Sequence, residues 1–324
     1  MTPFPRKEDL TICFAHVAYR MAERFAARNT GIRHFQATTP AEFAARIGEA
    51  DVVSVSGMWR NDLIPRARKL KLIQSISAGT DQYSRDALKA AGVRLASGAG
   101  VNARAVAEHA MSLILAMSRQ LHFARDNQAK HHWRGMISDL SKREDELGGK
   151  TLLIVGLGRI GSHLAMLARA FGMRVIATKR DVSAGAGAAD AVFSDAELLQ
   201  HIPEADFVAL TCPLTPQTEN LINAAALASM KPSAFLINVA RGKVVDEPAL
   251  IAALNAGQIA GAGLDCTVEE PLPNGSPLWD IPNVLITPHT AGETRKYEDN
   301  VIDLLMENLD RLWRGETELK NGII

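Results

Sequence analysis

Residues 151–161 read Thr151-Leu152-Leu153-Ile154-Val155-Gly156-Leu157-Gly158-Arg159-Ile160-Gly161. The first five form an unbroken, mostly apolar run, the pattern of a parallel strand covered on both faces. The last six are Gly-x-Gly-x-x-Gly, and His163 to Phe171 beyond them reads as a helix. Three glycines between strand and helix form the dinucleotide-binding fingerprint. Gly156 permits the tight turn, Gly158 lets a pyrophosphate approach bare backbone, and Gly161 lets the helix pack closely on the strand. Arg159 and Ile160 belong to the same cofactor-binding turn, where free N–H groups and the positive end of the helix dipole suit phosphates. The fingerprint starts at mid-chain, so a sizeable unit is built before it.

Upstream, Leu10 to Phe14, Asp51 to Ser56, Leu70 to Ile76 and Val93 to Ala96 read as strands, with helix-like Tyr19 to Arg28, Pro40 to Gly48 and Ser84 to Ala91 between them. This alternation predicts a small parallel sheet with helices on its faces. Asn102 is a cap candidate for a helix over Ala103 to Leu121, in which Ala103, Val106, Ala110, Leu113, Ile114, Met117 and Leu121 share a face. A helix so apolar is either wholly buried or half turned toward a second subunit. Downstream, strands are predicted at 151–155, 174–178, 206–210, 234–239, 261–264 and 284–286, enough for a full doubly wound dinucleotide fold. The Ala- and Gly-rich stretch Ala184 to Ala191 reads as an exposed connection. Glu293 to Arg314 reads as a last helix, stopped by Gly315.

Composition narrows the function. A chain of 324 residues suggests about two domains. Lys plus Arg and Asp plus Glu are equal at 36 each, which argues against nucleic acid as a partner, since that use calls for a basic face. No apolar run reaches the ~18 residues of a membrane span, and the charged start Arg6-Lys7-Glu8-Asp9 makes a poor signal peptide. Cys13, Cys212 and Cys266 match no metal spacing and are expected to be reduced and buried. The expectation is a cytoplasmic protein with no metal site, no membrane contact and a small-molecule partner.

Three strand-to-loop stretches carry the chemistry. Phe235 to Gly242 is an apolar strand that delivers Arg241; Gly263 to Pro273 runs into an acidic loop with Glu269 and Glu270; Asn283 to Gly292 delivers His289. Each places a polar group beyond the C-terminal end of a parallel strand, where open α/β sheets bind ligands. The set suits a 2-keto acid. Arginine offers a permanent charge and a planar fork to a carboxylate and a carbonyl. Histidine moves protons near neutral pH, and a carboxylate bonded to it fixes its tautomer. After Arg174 to Thr178, an NAD site usually places Asp or Glu against the ribose hydroxyls. This chain has Lys179 and Arg180, which attract a 2′-phosphate and favour NADP; Asp181 keeps NAD as the alternative.

The chain resembles the D-isomer-specific 2-hydroxyacid dehydrogenase family. The likeness rests on Ser77-Ala78-Gly79-Thr80-Asp81, Asn102 to His109, the glycine fingerprint, Cys212 to Thr218 and the three stretches above. It implies Arg241 as the substrate-orienting arginine, Glu270, directly before Pro271, as the carboxylate partner, and His289 as acid/base. It implies substrate contact from the backbone at Ala78 and Gly79, and cofactor contact from Thr211, Cys212, Pro213, Thr218, Val239, Ala240 and Asp265. It also implies two doubly wound α/β domains: a Rossmann cofactor domain over 102–292, inserted into a flavodoxin-like substrate domain over 1–101 and 293–324, with the helix from Asn102 contributing to a homodimer. Cys266-Thr267-Val268 stands where Val-Phe is usual, and no functional reason for this is visible in the sequence.

The expected activity is NADPH-dependent reduction of a small 2-keto acid, of the glyoxylate or hydroxypyruvate kind, to the D-2-hydroxy acid. Two alternatives belong to other classes. A cofactor-sensing, corepressor-like scaffold lacks support from any low-complexity arm. The formate dehydrogenase branch resembles this one but has glutamine at the position of Glu270. Met58, Trp59, Arg60 and Trp279 are weaker candidates for shaping the substrate side.

Overall fold

The chain builds two parallel sheets, of five and seven strands, in a computed structural model that describes residues 4–324. One unit comprises Met1–Asn102 and Thr294–Ile324, the other Ala103–Glu293.

The first unit contains β1 (Thr11–Ala15), β2 (Arg33–Ala37), β3 (Val52–Val55), β4 (Leu72–Ser75) and β5 (Arg94–Ala96), all parallel, in the order β2-β1-β3-β4-β5. That is the flavodoxin-like order. Helices α1 (Met21–Ala26), α2 (Pro40–Arg46) and α3 (Arg85–Ala90) connect the strands. Side chains alternate along β1, so both faces are buried. Cys13 joins the layer with Phe43 of α2 and Leu88 of α3, whereas Ile12 and Phe14 join the layer with Phe25 of α1 and Val301, Leu305 and Leu309 of the C-terminal helix Tyr297–Trp313. The C-terminal helix is therefore a structural member of the unit begun by the N-terminus. Arg28 bonds Asp299 at 3.2 Å, and Arg24 also pairs with Asp299, which ties α1 to it. The helix ends before Gly315, which has φ +77°.

The second unit contains α4 (Ala103–Ser118), α5 (Leu121–Ala129), β6 (Thr151–Val155), α6 (Arg159–Ala170), β7 (Arg174–Thr178), β8 (Ala191–Phe193), α7 (Leu198–His201), β9 (Phe207–Leu210), α8 (Ala224–Ala228), β10 (Phe235–Asn238), α9 (Glu247–Asn255), β11 (Gly261–Leu264) and β12 (Val284–Ile286). The order is β12-β11-β10-β9-β6-β7-β8. Counted from β6, this is the Rossmann order 3-2-1-4-5-6 with a seventh strand at one edge, and the order reverses between β6 and β9. α4 is buried along Val106, Ala110, Leu113, Ile114 and Met117. It lies close to β11 because that strand carries glycines: a Cβ at Gly263 would come within 3.1 Å of Leu113 Cβ, and one at Gly261 within 2.9 Å of Met117 Cε.

Two expectations need correction. The helix starting at Ala103 does not reach Leu121. Gln120 takes the left-handed conformation at φ +51°, and α5, which follows, buries no residue. Leu121 is 54% exposed, so the apolar face ends at Met117. Two strands, β2 and β8, were not expected. Both are edge strands whose residues are mostly half-buried, so neither carries a strong apolar run. The stretch expected to be an exposed connection is mostly exposed; within it Ala189 is buried, and it runs into β8 at Ala191.

Candidate active site

The candidate catalytic and cofactor-binding residues all lie in the second unit, most of them at or just beyond the C-terminal ends of its strands. Gly156 has φ +97°, and a Cβ there would lie 2.8 Å from Cys212 Cα. At Gly161 a Cβ would come within 2.6 Å of Gly156 O. These two glycines are therefore required by packing. Gly158, at the N-cap of α6, differs: a Cβ there meets nothing within 4 Å. Its missing side chain leaves open space above bare backbone at a helix start, which fits the pyrophosphate of a dinucleotide. Arg159 is exposed and Ile160 half-buried in the first turn of α6.

Loops around the turn are tied to it. Thr211 donates its hydroxyl to Gly156 O at 2.8 Å, and Cys212 is buried directly behind Gly156. Burial pushes the Cys212 thiol up to about 11. Pro213 is exposed, and its carbonyl accepts from the Thr218 hydroxyl at 2.7 Å; that hydroxyl also accepts from Thr215 N at 2.7 Å. Thr211 and Thr218 thus fix the loop beside the glycine turn.

At the end of β7, Lys179 is half-buried and Arg180 exposed, and the Lys179 charge acts on the neighbouring Asp181. The adjacent carboxylate is engaged elsewhere. Asp181 caps the turn Val182–Ala184, accepting from Ser183 N at 3.0 Å and Ser183 Oγ at 2.6 Å, and these bonds hold its carboxyl below the usual range. The Thr178 hydroxyl is buried at the same strand end without a partner among the described residues.

Arg241 leaves β10 on a loop fixed by Asn238. The Asn238 amide donates to Arg241 O at 3.0 Å and accepts from Ala240 N at 3.0 Å. Val239 and Ala240 are buried in the cores on the two faces of the sheet. The guanidinium donates to Ala240 O at 2.7 Å and is otherwise exposed. Gly242 brings this loop onto the acidic loop: a Cβ there would stand 2.0 Å from the Thr267 carbonyl.

Glu270 Oε1 accepts from Thr267 N at 3.1 Å, and its Oε2 stands 2.7 Å from His289 Nδ1. Glu269 contributes only its carbonyl, to the Thr267 hydroxyl at 2.7 Å. Thr267 therefore folds the acidic loop, which gives a structural reason for a residue that the sequence left unexplained. Cys266 lies beneath: burial pushes its thiol up, Glu270 and Asp265 add to this, and Arg241 opposes it. His289 has φ +54°, and its side chain is 42% exposed. Asp265, 2% exposed, accepts from Thr287 Oγ1 at 2.6 Å, Thr290 N at 3.0 Å and Ala291 N at 3.0 Å. Its carboxylate anchors the turn that presents His289.

In the first unit, Ala78 is exposed and Gly79 half-buried, just past β4. Ser77 Oγ donates to Gly79 O at 3.0 Å and lies 2.7 Å from Ser56 Oγ, which accepts from Gln82 Nε2 at 3.1 Å. Met58 and Trp59 are buried in the core of that unit, Arg60 is exposed, and Trp279, in the second unit, is 53% exposed. Among the described residues no group of His, Cys, Asp or Glu could hold a metal ion, and no helix is long and apolar enough to cross a membrane.

A family model for the D-isomer specific 2-hydroxyacid dehydrogenase, NAD binding domain, matches residues 111–291. The chain belongs to the D-isomer-specific 2-hydroxyacid dehydrogenase family. It is an oxidoreductase fold of the nicotinamide-binding kind. It is 37% identical over 269 residues to a glyoxylate/hydroxypyruvate reductase B of Pectobacterium carotovorum, covering 82% of this chain and 83% of that protein. It is 36% identical over 274 residues to D-3-phosphoglycerate dehydrogenase of Mycobacterium tuberculosis, covering 84% of this chain and 51% of that one, so it spans about half the length of that relative. A solved family protein from Aeromonas salmonicida superposes with a TM-score of 0.84 at 28% identity, covering 98% of this chain and 99% of that one.

Within this family member, sequence reasoning passed over Asn238, Gly242, Thr267 and the anchoring work of Asp265. Gly242 left a trace as the glycine directly after Arg241, and Thr267 as a departure from the usual Val-Phe; Asn238 acts within its own loop, on Ala240 and Arg241, whereas Asp265 reaches a loop distant in sequence.

Proposed function

We propose that this dehydrogenase reduces a small 2-keto acid of the glyoxylate or hydroxypyruvate kind to the D-2-hydroxy acid, with NADPH as preferred reductant and NADH as the alternative. The observation that carries the reading is the 2.7 Å contact between His289 Nδ1 and Glu270 Oε2, at the sheet edge that also bears the glycine turn and Arg241. Glu270 holds Nδ1–H, which leaves Nε2 as the atom that gives its proton to the keto oxygen and takes it back in the reverse direction. Arg241, held by the Asn238-braced loop, pairs with the substrate carboxylate and polarises the carbonyl. The resemblance also gives the backbone at Ala78 and Gly79 to substrate contact, which makes the first unit the substrate domain. When bound, the reduced nicotinamide supplies the hydride.

The glycine turn with Thr211, Cys212, Pro213 and Thr218 seats the cofactor, and Val239, Ala240 and Asp265 support its nicotinamide end. NADPH is favoured because two cations, Lys179 and Arg180, follow β7 while Asp181 accepts from Ser183 at its cap. The family model, described as an NAD binding domain, favours the alternative. The substrate class follows the reductase relative. We further read the protein as a cytoplasmic homodimer. The test is a panel: NADPH and NADH oxidation against glyoxylate, hydroxypyruvate, pyruvate and phenylpyruvate, and the reverse reaction with D-3-phosphoglycerate. Fastest turnover of glyoxylate or hydroxypyruvate with NADPH is expected. Turnover confined to 3-phosphoglycerate, or tight cofactor binding with no turnover, overturns the reading.

A further inference from the structure

We propose that His109, on buried helix α4, is a positioning residue for His289, acting through Thr287 and Asp265. This rests on the reading of His289 as the acid/base. The Thr287 hydroxyl stands 2.6 Å from Asp265 Oδ1 and 2.9 Å from His109 Nε2. A hydroxyl has one hydrogen to give. Both Asp265 oxygens accept backbone N–H groups, Oδ1 from Thr290 and Oδ2 from Ala291, so the carboxylate is the acceptor, Thr287 donates to it and His109 must supply an Nε2–H to Thr287. The chain therefore runs in one direction, His109 to Thr287 to Asp265, and the geometry assigns the His109 tautomer. His109 Nε2 is also 3.5 Å from Asp265 Oδ1.

The far end of this chain is the His289 turn. Asp265 accepts from Thr290 N and Ala291 N, and His289 between Thr287 and Thr290 adopts φ +54°, a left-handed conformation that a side-chain-bearing residue keeps only when its surroundings hold it. A buried carboxylate needs its full set of donors. By fixing the Thr287 hydroxyl rotor, His109 keeps Asp265 satisfied and the turn set, so that the imidazole of His289 meets Glu270. Hydrogen bonds in series strengthen one another in a low-dielectric setting.

The test compares His109→Leu, His109→Gln and Thr287→Val. The Gln amide places an N–H near the Nε2 position. We expect Leu and Val to lower kcat about tenfold, Val also to lower Tm because it takes a donor from buried Asp265, Gln to restore most of the rate lost in Leu, and the Leu/Val double variant to be no worse than Val alone, because one chain is broken twice. Nitrogen-15 NMR of the unliganded protein should show His109 with Nε2 protonated. Unchanged kcat in His109→Leu, a Gln variant as slow as Leu, or a bare Nε2 overturns the proposal. A His289→Ala control separates the two readings: if it abolishes turnover while His109→Leu does not, the relay alone fails, and if it leaves turnover intact, the acid/base reading fails first. The NMR arm holds either way.

Discussion

His289 Nδ1 lies 2.7 Å from Glu270 Oε2, although the two residues leave different strands, β12 and β11. Each is fixed from behind by buried structure: Glu270 by Thr267 N, and the His289 turn by Asp265. The pair is therefore preorganised, and its charge and its geometry can be varied separately.

Glu270→Gln keeps a hydrogen-bond acceptor for Nδ1 and removes the charge. We expect kcat to fall about a hundredfold, with NADPH affinity retained. Steady-state rates beside a fluorescence titration of NADPH check this. A rate within twofold of the parent would show that the charge is idle.

Gly158→Ala and Gly161→Ala should separate binding from folding. The first places its Cβ in open space, so Tm should hold while NADPH binding weakens. The second drives Cβ to 2.6 Å from Gly156 O and should destabilise the unit by about 1–3 kcal/mol. Denaturation and cofactor titration of both variants decide it; equal Tm losses would remove Gly158 from the cofactor cradle.

Replacing Lys179 and Arg180 together with alanine should raise KM for NADPH about tenfold or more and leave KM for NADH nearly unchanged, since only the 2′-phosphate loses its partners. Parallel changes in both constants would assign these residues to the surface alone.

Asp299 is held below the usual carboxylate range, first by its bond from Arg24 and also by Arg28. A lowered folded-state value means stability that is present above the unfolded value of about 3.9 and lost as pH falls through the folded one. Asp299→Asn should lower Tm at pH 7 and flatten the loss of Tm below about pH 4. Superimposable Tm–pH curves would show that this ion pair contributes nothing.

The sequence made β6, the glycine turn and α6 readable because a buried strand and a glycine-bound turn leave local patterns. The family resemblance, through the proline after it, pointed to Glu270 rather than Glu269, and in the structure the Glu270 carboxylate stands 2.7 Å from His289 Nδ1. Edge strands β2 and β8 escaped because their residues alternate poorly and pair on one side only. The halt of α4 at Ser118 escaped because the apolar spacing continues through Leu121, while a left-handed Gln120 turns the chain. Asp265 shows the limit most clearly: strand periodicity places it at the end of β11, but its partners lie 22 to 26 positions away and appear only once β11 and β12 are in register.

The central claim is that His289 carries the proton in a reaction that the rest of the site arranges. Its most direct test is single-turnover oxidation of bound NADPH by glyoxylate and by hydroxypyruvate in His289→Ala, beside the NADPH Kd of the same variant. We predict a rate at least about a hundredfold below the parent, with Kd within about twofold, because the acid is lost while the cofactor cradle on β6 and α6 is untouched. A parental rate with parental Kd would contradict the account.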